Sequence, residues 1–178
     1  MNPILRKRLL AASGAGAVVI AGILGAWYEG TGPTQKHASG EVLYIPYKDP
    51  VGIWTVCRGV TGSAVVSSKR YTEAECVALE RKHYASAEQA ARRLFPGYAS
   101  YSEWTQAALL DWLYNTGEND ATVNSTLRRK FNSGDIDGGC RELVRWVNGR
   151  VKGQLVKLAG LVDRRDATQE ICLKWGRS

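Results

Sequence analysis

The sequence predicts an α+β fold: a small antiparallel sheet lobe followed by a larger helical lobe, with a weakly apolar helix ahead of both. Three observations point there. Residues 42–62 hold two β-prone stretches separated by Gly- and Pro-containing turns, and from Thr72 onward the apolar period becomes helical. Ahead of these, Leu9 to Tyr28 is a run of twenty residues with no charge. Of the 178 residues, those beyond that run suffice for one domain with a sizeable core.

The N-terminal element comes first. Arg6-Lys7-Arg8 precedes the uncharged run, and ten of its twenty residues are Ala or Gly. At about 1.5 Å per residue such a helix just spans a bilayer core, and the preceding cations keep the N-terminus cytoplasmic. Ala and Gly contribute little apolar surface, so the helix sits in lipid weakly. Gly14, Gly16, Gly22 and Gly25 offer a close-packing face. No A-x-A followed by a mature start stands out before Glu29. Residues 1–28 therefore read as an uncleaved signal anchor, with residues 29–178 held in the periplasm; a cleaved signal peptide and an ordinary packed helix are the alternatives.

Residues 30–41 are polar and punctuated by Gly and Pro, which makes a loop or loose hairpin. Val42–Tyr47 and Ile53–Cys57 are strands, with turns at Asp49–Gly52 and Gly59–Gly62; residues 29–71 thus form the sheet lobe. Residues 72–178 form the helical lobe. Thr72-Glu73-Ala74-Glu75 is a capping box, and Cys76, Leu79, His83, Ala87, Ala90 and Leu94 share one helical face until Pro96-Gly97. Ser102 opens a second helix that ends at Asn115-Thr116-Gly117. Shorter helices are expected over Ser125–Asn132 and Asp137–Val147, and a last one over Leu161–Trp175. There is no internal repeat.

Lys and Arg total 24 against 17 Asp and Glu, a net charge of +7, which points to an anionic partner such as the bacterial envelope. Most cations, including those of Arg128-Arg129-Lys130 and Asp163-Arg164-Arg165-Asp166, read as a solvated mixed-charge surface. No finger, basic zipper or Gly-rich phosphate loop favours nucleic acid. Cys57, Cys76, Cys140 and Cys172 lack the spacing of a metal or redox site. An even count behind an export-competent N-terminus suggests disulfides. Of three connectivities, Cys57–Cys76 with Cys140–Cys172 joins neighbouring segments and is favoured.

His37, in a polar loop, and His83, on an apolar helix face, supply no Ser-His-Asp or Cys-His set, so carboxylates carry the chemistry. Asp49 sits in a turn at a strand end, and Thr55 lies six residues on, on the next strand. A carboxylate and a hydroxyl brought to one face can hold a water molecule between them. Glu29 follows the apolar helix beside Trp27 and Tyr28, where partial desolvation suits a general acid. An acid together with a water-holding carboxylate is the chemistry of inverting glycoside hydrolysis.

Three blocks carry a resemblance: Trp27-Tyr28-Glu29-Gly30, then Tyr44-Ile45-Pro46-Tyr47-Lys48-Asp49-Pro50-Val51-Gly52-Ile53-Trp54-Thr55-Val56-Cys57, then Gly59-Val60-Thr61-Gly62. Together they resemble the Glu, Asp, Thr active-site signature of phage-type lysozymes, glycoside hydrolase family 24. Tyr114-Asn115-Thr116-Gly117, the Ser125–Asp135 stretch, Arg145-Trp146 and the Arg164-Arg165 helix extend the likeness to lambdoid-phage endolysins, some of which carry a signal-arrest-release (SAR) anchor. The resemblance implies a lysozyme-like fold and cleavage of the β-1,4 bond between N-acetylmuramic acid and N-acetylglucosamine in peptidoglycan, for host lysis. In it Glu29 protonates the glycosidic oxygen, while Asp49 positions and activates water with help from Thr55. It calls for no cofactor and no metal, and for a monomer anchored in the inner membrane through residues 9–28. Such an anchored form is expected to be inactive until a holin or pinholin depolarises the membrane and releases it to the periplasm.

One spacing departs from the family's pattern. Nineteen residues separate Glu29 from Asp49, more than the family usually has, whereas seven separate Glu41 from Asp49. Either residues 31–41 are an inserted loop and Glu29 is the acid, or Glu41 is. Glu29 has the family's local context of apolar helix, aromatic residue and Glu-Gly, and is favoured. A lytic transglycosylase and a non-catalytic, membrane-tethered peptidoglycan-binding protein are the competing functions.

Overall fold

In the computed structural model, which describes residues 1–49, 52–151 and 153–175, the apolar N-terminal run is broken into two helices. Helix α1 spans Pro3–Ala11 and is capped by Asn2, whose Oδ1 accepts from Ile4 N at 2.8 Å. Helix α2 spans Ala17–Tyr28. Among the described residues no helix is long and apolar enough to cross a membrane, so the single spanning helix expected from the sequence is not what is observed. The reason is local and tertiary at once. Gly14 and Gly16 take φ values of +80° and +91°, which favour glycine, and their amides donate to the Glu103 carboxylate at 2.8 and 3.3 Å.

Both helices bury one face against the body. Leu5 and Leu9 on α1, and Ile20, Ala21 and Leu24 on α2, are fully buried at helical spacing. They join one core with helix α3 (Glu73–Leu94), helix α4 (Glu103–Thr116) and helix α8 (Ala159–Lys174). Helix α4 is buried nearly all round from Trp104 to Leu113, the mark of a central helix. Between α4 and α8 in the chain come the short helices α5 (Asp120–Val123), α6 (Thr126–Asn132) and α7 (Ile136–Glu142). The Thr72 capping box forms, with Glu75 N donating to Thr72 Oγ1 and Thr72 N to the Glu75 carboxylate.

The expected sheet lobe is subdivided. Strand β1 (Thr34–Lys36) pairs antiparallel with β2 (Val42–Tyr44), so the polar loop is a hairpin. Strands β3 (Tyr47–Lys48), β4 (Trp54–Val56) and β5 (Val60–Thr61) form a three-stranded antiparallel sheet. The predicted Val42–Tyr47 strand splits because Pro46 cannot donate to a ladder, while Tyr44 exchanges both backbone hydrogen bonds with Tyr71. Strands β6 (Asn148–Val151) and β7 (Gln154–Lys157) form a further hairpin that the sequence pattern does not announce. Residues 143–147, expected to continue the helix begun near Asp137, instead follow α7 as a 3₁₀ turn over Leu143–Arg145. Of the expected Asp49–Gly52 turn, Pro50 and Val51 lie outside the described residues.

The favoured cysteine pairing is the observed one. Cys57–Cys76 fastens the sheet to α3 and Cys140–Cys172 fastens α7 to α8, with Cα separations of 5.4 and 5.7 Å. Each closes a loop whose entropy in the unfolded chain is worth about 2–4 kcal/mol. Reduction of both, worth about 4–8 kcal/mol together, is therefore expected to lower the melting temperature by roughly 10–30 °C; a scan unchanged by dithiothreitol would contradict this.

Candidate active site

Each of the three predicted residues is placed by a helix end or a strand. Glu29 is the C-cap of α2, its backbone N–H donating to Gly25 O at 2.9 Å. It is half-buried, and one carboxylate oxygen is hydrogen bonded to the Arg164 guanidinium. The other faces the turn between β4 and β5. A Cβ built on Gly59 would lie 3.2 Å from Glu29 Oε2, so the bare glycine lets the carboxylate approach the sheet lobe.

Asp49 follows β3. Its Oδ1 accepts from Ile53 N at 2.9 Å, its N–H donates to Ile53 O at 3.0 Å, and Gly52 N donates to its carbonyl at 2.9 Å. Thr55, in the middle strand, pairs with Tyr47 on one side and Thr61 on the other. Its hydroxyl donates to the same Ile53 carbonyl at 3.2 Å, and the residue is 4% exposed. Asp49 and Thr55 are thus locked to one another through Ile53. Glu41 lies outside this arrangement: it is exposed in the β1–β2 hairpin, where its carbonyl accepts from His37 N.

Behind Glu29 lies a cluster that local sequence patterns do not reveal. Arg164 and Arg165, expected on a solvated surface, are 2% and 0% exposed. Arg164 Nε and Nη2 clasp the fully buried Asp111 at 2.9–3.2 Å, and Arg165 Nη1 meets the same carboxylate at 3.2 Å. Arg165 also reaches Trp146 O at 3.2 Å and the Asn115 side chain. Burial opposes charge on Arg164, but Asp111 and Glu29 outweigh it and hold its proton more firmly than usual. Burial is the largest influence on Arg165, bringing it down to about 10, still charged at neutral pH. The available signal was Asp111 itself, one acid inside the apolar run Ala107-Ala108-Leu109-Leu110-Asp111-Trp112-Leu113. Such an acid requires a buried partner.

The histidines stand apart from this chemistry. His37 contacts Ser39 in the exposed hairpin, and His83 lies edge-on to Tyr114 at 6.3 Å with burial lowering its pKa. A groove of about 270 Å³ between α2 and α3, lined by Val18, Ile23, Val77 and Tyr84 among others, contains none of Glu29, Asp49 and Thr55. Among the described residues no group of His, Cys, Asp or Glu is arranged to hold a metal ion.

A small sheet lobe with a carboxylate turn, set against a helical body whose α2 ends in a half-buried glutamate, has the organisation of a lysozyme-like fold. Solved structures share it. The muramidase domain of SpmX from Asticaccaulis excentricus superposes with a TM-score of 0.69 at 23% identity, over 89% of this chain and 95% of that one. The active form of P1 phage endolysin Lyz gives 0.69 at 21%, over 97% and 93%. Residues 38–168 match the phage lysozyme family, a stretch that includes Glu41, Asp49 and Thr55 and begins after Glu29. Over 178 residues the chain is 43% identical to the SAR-endolysin of Enterobacteria phage P21 and 42% identical to that of Enterobacteria phage PA-2, covering 99% of this chain and of each relative. The chain belongs to the phage lysozyme family, alongside its SAR-endolysins.

Proposed function

We propose that the chain is a phage endolysin that hydrolyses the β-1,4 bond between N-acetylmuramic acid and N-acetylglucosamine in host peptidoglycan, with Glu29 as general acid. The observation that carries this reading is the position of Glu29, half-buried at the end of α2 with one oxygen on Arg164 and the other turned to the Gly59 turn of the sheet lobe. From there it delivers a proton to the glycosidic oxygen. Asp49, held by Ile53, orients and activates water on the opposite face of the sugar, with the Thr55 hydroxyl as its neighbour on the same carbonyl. Neither cofactor nor metal enters the reaction.

Residues 1–28 act as a releasable inner-membrane anchor and residues 29–178 as the catalytic part. In lipid, the run Leu9–Tyr28 ends next to Glu29 and keeps the acid away from Asp49. After depolarisation by a holin or pinholin the run leaves the bilayer, breaks at Gly14–Gly16 and docks as α1 and α2. The names of the relatives matched along 99% of their length support this cycle. The released protein then works in the periplasm as a monomer.

End-group analysis of a digested Gram-negative wall separates this function from its competitors. Hydrolysis produces new reducing N-acetylmuramic acid ends. Anhydro ends would mark a lytic transglycosylase instead, and retention on walls without new ends would leave only a binding protein.

A further inference from the structure

Counted together, Glu29, Asp111, Arg164 and Arg165 form a buried cluster with two negative and two positive charges. Only Glu29 comes from the N-terminal segment; the other three belong to α4 and α8. When α2 is withdrawn, two buried guanidiniums share one carboxylate, and an uncompensated charge in such a site is costly. Apolar contacts cannot decide between lipid and body, because hydrocarbon satisfies side chains such as Ile20 and Leu24 as well as a protein core does. Polar contacts made only after docking can.

We infer that Asp111 is a positioning residue: it grips one edge of Arg164 so that the remaining nitrogen receives the Glu29 carboxylate, and the cluster becomes neutral only when the released α2 docks. This rests on Glu29 being the acid, and it deepens that reading by naming what the docked acid is seated against. Asp111 touches no substrate; it acts through Arg164.

Among the described residues, the charged and titratable groups facing Glu29 come from three elements packed around it. Helix α8 presents Arg164 directly, with Arg165 behind it; α4 presents Asp111 and Tyr114; α3 presents Tyr84. Both tyrosines are raised, by burial first and by nearby acids including Glu29, and stay neutral through the working pH range. The arginine–aspartate balance therefore sets the field at the acid. A general acid works only while protonated, so the alkaline limb of the pH–rate profile reports how long Glu29 keeps its proton.

The test uses the whole released chain on wall suspensions across pH. Asp111→Asn leaves Glu29 facing two positive charges without their counter-charge, favours its ionised form, and is expected to move the alkaline limb down by about one pH unit. The rate at neutral pH should fall roughly tenfold, with little change in the wall concentration giving half-maximal rate. Arg165→Met removes a positive charge and is expected to move the limb upward by a similar amount. Both substitutions disturb the same packing, so structural damage alone predicts no such opposition. Limbs that stay in place, or move in the same direction, overturn the inference while Glu29→Gln remains inactive. An active Glu29→Gln overturns the acid assignment, and the positioning role with it.

Discussion

Glu29→Gln is expected to lower the rate of wall hydrolysis by about 10²–10⁴-fold, the usual contribution of a positioned general acid. Glu41→Gln is expected to stay near the parent rate. The two glutamates differ in what surrounds them. Glu29 caps α2, meets Arg164 and lies against the turn that carries Gly59, within reach of both lobes. Glu41 is exposed on a hairpin whose contacts are local, to His37 and Ser39. Glutamine keeps the shape of Glu29 and its ability to accept from Arg164 but has no acidic proton, so the released protein should still fold and bind walls. Turbidity loss of a Gram-negative wall suspension is the measurement. Lysis retained by Glu29→Gln and lost by Glu41→Gln would reverse the assignment and make residues 31–41 the approach to the acid rather than an insertion.

The second large effect lies one turn earlier on the same side of α2. Gly25→Ala is expected to destabilise the released protein by about 1–3 kcal/mol, although Ala is the better helix former by about 1 kcal/mol. A Cβ at residue 25 would lie 2.0 Å from the Tyr84 hydroxyl oxygen and 3.3 Å from the ring carbon that bears it. Tyr84 is buried and its hydroxyl donates to Ala21 O at 3.0 Å, so it yields only by giving up that bond. Gly22→Ala is the control: nothing lies within 4 Å of its built Cβ, and only the propensity gain applies. Gly25→Ala combined with Tyr84→Phe removes the clashing oxygen and should recover most of the loss. Melting curves and lysis onset check this together. In lipid the two glycine substitutions are equivalent, so delayed lysis with Gly25→Ala alone points to docking, whereas an equal delay with both points to membrane residence.

Much of the fold was legible because the relevant signals are local. The Thr72–Glu75 capping box, the Ser102 cap with Thr105 N on its hydroxyl at 3.2 Å, and the buried face running to Leu94 all act within a few residues. The cysteine pairing followed from neighbouring segments at separations of 19 and 32 residues. The β6–β7 hairpin escaped because its strands are short and half polar, without a strong apolar alternation. Asp49 and Thr55 were legible as a turn acid and a strand hydroxyl; their shared anchor, the Ile53 carbonyl, was not.

By itself the sequence determined the helical and strand periods, the caps, an N-terminal run apolar enough for lipid yet rich in glycine, and a carboxylate directly after it. These are properties of backbone preference and side-chain polarity over a few residues. Tertiary structure decided at which of those glycines the run breaks, through Glu103 reaching the Gly16 and Gly14 amides 87 and 89 residues away. It also buried Arg164 and Arg165, against Asp111 at separations of 53 and 54 residues, and seated Glu29 on Arg164 across 135. A buried charge is tolerated only where a partner meets it, and a partner that distant in the chain exists only once the helices have packed.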